Sequence, residues 1–146
     1  MEEKDKDLLL KDLCGRLPYG VKVQIDLQSD IYSKITCKVC SIEYAKSGSA
    51  FIGVETSPDT YNEFREFLCK PYLFPLSSMT KEQRKEYEDA ITYHDYVKGG
   101  WTIAKSFDDE YIIPYWFVDF CNKNHLDYRG MIPLGLAIDA TGLNIY

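Results

Sequence analysis

The period of apolar and polar positions changes several times along the chain. Residues Lys6 to Leu13 place Leu8, Leu9, Leu10 and Leu13 in a short helical pattern, with Asp5 or Asp7 available as a cap and Gly15 to end it. Pro18-Tyr19-Gly20 is a turn signature. After it, Val21, Val23 and Ile25 alternate with Lys22 and Gln24, the period of a half-buried strand. A second strand is predicted from Ser33 to Tyr44. The turn Lys46-Ser47-Gly48-Ser49 leads to a third, Ala50 to Glu55, rich in strand-forming residues. These three read as an antiparallel meander.

Beyond them the pattern turns helical. Ser57-Pro58-Asp59 has the form of a helix start with proline at the first helical position, and Tyr61, Phe64, Phe67 and Leu68 fall on one helical face. A strand from Glu66 to Phe74 competes with that reading. Pro71 and Pro75 bracket Tyr72-Leu73-Phe74, an extended crossing segment. Thr80 with Gln83 forms a capping box, which predicts a charged helix from Lys81 to about Thr92 anchored by Tyr87 and Ile91. Gly99-Gly100 separates Tyr96-Val97 from Trp101-Thr102-Ile103-Ala104, two runs that pair as a hairpin or form one bulged strand. From Ile113 to Lys123 apolar residues almost encircle a helix, expected to be the most buried one. The tail from Asp127 to Ile138 is apolar but broken by Gly130, Pro133 and Gly135, and predicts a short helix or irregular packing.

Together these elements predict an α+β fold. An N-terminal antiparallel sheet, for which a small SH3-like barrel is one arrangement, joins a mostly helical C-terminal part. With 146 residues and no repeat or linker, one domain over residues 1–146 is expected, sheet-rich over about 1–76 and helix-rich over 77–146. The apolar fraction of 45% and 14% aromatics exclude a disordered chain, which would lack the burial to offset backbone entropy. A net charge of −6 disfavours direct nucleic-acid binding, which depends on lysine and arginine displacing counterions. No window supplies the apolar run of a membrane helix, and the acidic start MEEKDKD is unlike a secretion signal, so a cytoplasmic protein without membrane association is expected. Five scattered cysteines read as reduced thiols rather than a disulfide framework.

Candidate chemistry is sparse. Cys37-Lys38-Val39-Cys40 is the only CxxC, no further ligands stand at comparable spacing, and on a strand the two thiols point to opposite faces. No metal, cofactor or catalytic residue is therefore assigned. His94 and His125 are the only histidines, and no nucleophile motif surrounds either. Asp108-Asp109-Glu110 is the densest carboxylate cluster but lacks calcium-loop spacing, and Gly99-Gly100 lacks the context of a phosphate loop. What remains is an aromatic load suited to interfaces. Tyr93, Tyr96, Trp101, Tyr111 and Trp116 are taken as the candidate binding residues.

Three segments carry a resemblance: Leu17-Pro18-Tyr19-Gly20-Val21-Lys22-Val23, the run Lys70 to Thr80 reading KPYLFPLSSMT, and Asn124 to Ala137, with its Asp127-Tyr128-Arg129-Gly130 core. They resemble a family of small uncharacterised proteins of gut Bacteroidales genomes, phages and mobile elements. The resemblance implies origin and brings no activity, cofactor or site residue. The functional expectation is a non-catalytic binding protein, an accessory or host-interaction factor of a mobile element or phage with a protein partner. Two alternatives stand beside it: a sponge that sequesters a small nucleotide signal in an anti-defence role, and an enzyme using His94 or His125.

Overall fold

A computed structural model of the chain describes residues 1–26, 34–46, 49–98 and 115–146, with 91–98 described by backbone alone. The alternating segments form the predicted meander: β1 (Lys22–Ile25), β2 (Ile35–Tyr44) and β3 (Ala50–Ser57). Val21, Val23 and Ile25 are fully buried while Lys22 and Gln24 lie on the other face, as a period of two requires. Cys37 is buried and Cys40 exposed, so the two thiols of the CxxC stand on opposite faces.

Three further strands extend this meander: β4 (Thr60–Arg65), β5 (Cys69–Leu73) and β6 (Ile138–Asp139). The order across the sheet is β4-β3-β2-β1-β5-β6, antiparallel except for the parallel pair β5–β6. With α1 (Glu3–Arg16), α2 (Lys81–Lys98) and α3 (Tyr115–Lys123) the fold is α+β. The SH3-like barrel is corrected. Closure would need β4 to pair with β6, and among the described residues these strands end the sheet on opposite sides.

The expected helix after Pro58 is also overturned. Pro58-Asp59 is the two-residue loop of a hairpin joining Ser57 to Thr60, with Asp59 in the left-handed region at φ 66°. The helical spacing of Tyr61 and Phe64 is overridden by β3, against which Phe64 pairs with Ile52 and packs on the core. The tip of Tyr61 reaches over Gly53 to hydrogen-bond Ser41, and a Cβ at residue 53 would collide with it. A strand within Glu66 to Phe74 does form as β5, after a 3-10 turn over Glu66–Leu68.

Helix α1 runs to Arg16, past Gly15 rather than ending there. Gly15 is needed for contact instead: a Cβ would lie 2.9 Å from the Asn122 amide of α3. Leu9, Leu10 and Leu13 of α1 cover the buried face of the sheet, packing on Val23, Ile25, Val39, Ile52 and Val54. Helix α1 buries five of its 14 residues and α3 three of its nine, with Tyr115 of α3 83% exposed.

The predicted capping box forms in both directions. The Gln83 N–H donates to Thr80 Oγ1 (3.1 Å) and the Thr80 N–H to Gln83 Oε1 (2.9 Å). Helix α2 continues to Lys98, so Tyr96 and Val97 are helical and not strand. Gly99-Gly100 and Trp101-Thr102-Ile103-Ala104 lie outside the described residues. Tyr87 of α2 packs with Phe120, Cys121, Leu126, Phe117 and Tyr128 in a second apolar cluster. The tail is irregular until β6, and the Asp127 carboxylate accepts from the N–H groups of Met131 and Ile132, both at 2.8 Å. No helix among the described residues is long and apolar enough to cross a membrane.

Candidate functional site

The buried groups Asp12, Arg16 and His125 meet where the end of α1, the end of α3 and the tail come together. Asp12 and Arg16 stand one helical turn apart on the face of α1 that also carries Leu9 and Leu13. Burying that face takes the pair fully out of solvent. Arg16 Nε donates to Asp12 Oδ2 at 2.7 Å and a terminal nitrogen donates to Oδ1 at 3.0 Å. Two further guanidinium protons go to the carbonyls of Cys121 (3.1 Å) and Leu126 (2.8 Å). Four of the five guanidinium N–H donors are thus occupied. Arg129 approaches the same carboxylate at 3.4 Å, and its guanidinium lies 4.7 Å from the Tyr128 ring centroid.

His125 follows α3 with a left-handed backbone, φ 53°, while its carbonyl accepts from the Phe74 N–H at 2.8 Å. The imidazole stacks on Tyr146 at 3.8 Å and 11°, and its buried Nδ1 has no hydrogen-bond partner. Burial, with the Arg16 and Lys22 charges, lowers its pKa from 6.5 to about 4. It is neutral at physiological pH. The Tyr146 hydroxyl donates to the Tyr72 carbonyl (2.9 Å) and accepts from the Lys22 N–H (3.1 Å), bridging β5 and β1.

This constellation is suited to holding elements together. Asp12 is matched by guanidinium groups and closed to solvent, and the histidine is stacked rather than aimed at a nucleophile. Burial pushes the thiols of Cys69 and Cys121 up to about 12, away from thiolate chemistry. No group of three or more His, Cys, Asp or Glu among the described residues is arranged to hold a metal ion.

Of the candidate binding residues, Trp116 is placed at the start of α3, half-buried, 5.9 Å from Tyr87 and 6.1 Å from Phe117 between ring centroids. Tyr93 and Tyr96 lie on the last turns of α2, described by backbone alone, as does His94. Trp101, Tyr111 and Asp108-Asp109-Glu110 lie outside the described residues. Beside Trp116, Tyr115 is exposed, and Tyr19 donates a hydrogen bond to Asp119 one turn along, which raises the Tyr19 pKa.

Sequence reasoning missed Asp12, Arg16, Arg129 and Tyr146. The i,i+4 spacing of Asp12 and Arg16 was a visible ion-pair signal. Nothing local distinguished it from a solvated pair. Among known proteins, no protein-family model, curated protein or solved structure matches this chain.

Proposed function

We propose that the chain is a non-catalytic binding protein with a protein partner, serving as an accessory or host-interaction factor of a mobile element or phage. The observation that carries this reading is the closed state of the Asp12, Arg16 and His125 cluster. Asp12 and Arg16 are fully buried in mutual bonds, and His125 is stacked and neutral. A general acid or base must meet substrate, and these buried groups are closed to it.

The start of α3 supports the surface such a partner would use. Tyr115 is 83% exposed beside half-buried Trp116, and a large aromatic with a polar tip is a favoured contact residue. A photo-crosslinking amino acid at position 115, compared with one at exposed Glu82, tests the reading in a Bacteroidales lysate. The expected outcome is one protein crosslinked from position 115 only, whose capture is lost in Tyr115→Ala. Equal labelling from both positions, or capture unchanged by Tyr115→Ala, would overturn it.

A further inference from the structure

The sheet face opposite α1 has an electrostatic feature that its fold does not require. Strand register sets Lys22 directly opposite Lys38, and Gln24 between Thr36 on one side and Lys70 on the other. Lys70 is then the diagonal neighbour of Lys22, a Cα separation of roughly 7–8 Å. On β1, β5 and the Ile35–Val39 part of β2, the outward positions are Lys22, Gln24, Thr36, Lys38, Lys70 and Tyr72. Three are cationic and none is acidic.

The chain carries a net charge of −6, so carboxylates outnumber its lysines and arginines. Among the described residues no ion pair reaches Lys22, Lys38 or Lys70, although Glu55 stands opposite Lys38 on β3. Directly opposed like charges on a sheet are destabilising. Lys22 is held in place, its ammonium donating to the Ile145 carbonyl at 2.6 Å and lying 5.8 Å from the Tyr146 ring centroid. Lys38 and Lys70 are exposed, and the Lys38 stem passes close to Gly20, where a Cβ would stand 3.3 Å from its Cε.

Between the lysines lies a fixed polar floor. Gln24 Nε2 donates to Tyr72 Oη at 3.0 Å, and Tyr72 Oη stands 3.1 Å from Thr36 Oγ1. With Tyr72 accepting from Gln24, its own proton is available to Thr36. In that direction of the Tyr72–Thr36 bond, the Thr36 hydroxyl proton is left for an outside acceptor.

We infer that this face is an anion site that takes the pyrophosphate group of a small phosphorylated molecule across Lys22, Lys38, Lys70 and the Thr36 hydroxyl. Two exposed, flexible ammonium groups, Lys38 and Lys70, beside the anchored Lys22 and a neutral donor suit a compact, multiply charged oxyanion, which lysine binds as a point charge. Such a ligand also relieves the Lys22–Lys38 repulsion. The site is separate from the surface around Tyr115 and stands without the protein-partner reading.

Calorimetric titration of the full chain with inorganic pyrophosphate at fixed ionic strength tests the site, with inorganic phosphate and sulfate as comparators. Saturable one-to-one binding is expected, tighter for pyrophosphate than for either comparator. Lys38→Gln and Lys70→Gln should each weaken it about tenfold, the loss of one charge-assisted contact. The double variant should abolish it, whereas Lys81→Gln/Lys85→Gln on α2 should leave it unchanged. Without ligand, Lys38→Gln should raise the urea midpoint, because it removes a like-charge pair. No saturable binding, binding that survives the double variant, or equal loss in the α2 control would each overturn the inference.

Discussion

Arg16 holds Asp12 through two hydrogen bonds of 2.7 and 3.0 Å, and both side chains are fully buried. Removing one member of such a pair leaves a buried charge uncompensated. Arg16→Met should therefore destabilise the fold by about 3–5 kcal/mol, read by urea denaturation. Asp12→Leu/Arg16→Met should recover part of the loss, since no carboxylate is then stranded. The double variant falling below the single one would show that Asp12, through Arg129, still stabilises the fold once Arg16 is gone.

His125 makes stability depend on pH in a defined window. Its folded pKa of about 4 lies below the usual 6.5, so in that interval the unfolded chain binds a proton that the folded chain refuses. Stability is complete above pH 6.5, falls as pH drops, and levels off below about 4, a loss of about 3 kcal/mol for this group. His125→Asn, with a side chain that tolerates the left-handed backbone, should flatten the slope between those limits in pH-resolved denaturation.

The Thr80–Gln83 capping box should contribute about 1 kcal/mol. Thr80→Ala loses one bond of the pair. Gln83→Ala loses the other and also the 3.1 Å bond from Gln83 Nε2 to Asn124, which ties α2 to the end of α3. Hydrogen exchange should accelerate in the first turn of α2 in both variants, and around Asn124 in Gln83→Ala alone.

Thiol reactivity should divide the cysteines two against three. Cys40 and Cys14 are exposed, while Cys37, Cys69 and Cys121 are buried. Ellman's reagent on the native chain should modify two thiols quickly, Cys14 the slower because partial burial raises its pKa, and the other three only on unfolding. A third fast thiol would contradict the packing beneath the sheet.

The parts of the fold legible in the sequence are those fixed by neighbours along the chain. Val21, Val23 and Ile25 announce a strand because alternate side chains share a face. Thr80 and Gln83 announce a helix start because both bonds span three residues. The opposite facing of Cys37 and Cys40 follows from the same period of two. Where a distant partner arbitrates, local pattern fails. Tyr61 and Phe64 keep helical spacing, yet the open edge of β3 makes them strand, and Gly53 supplies the room for Tyr61.

The candidate sites depend on that second kind of information. Asp12 and Arg16 look in sequence like any surface pair. Their burial is decided by carbonyls 105 and 110 residues away from Arg16. Lys22, Lys38 and Lys70 are ordinary outward strand residues until register sets them side by side. The sequence by itself determined an α+β chain, because strand period and helix caps are local chemistry. Only the tertiary structure decided which charges are buried in holding the fold and which are set side by side on the sheet face, because burial and cross-strand register arise from contacts between distant segments.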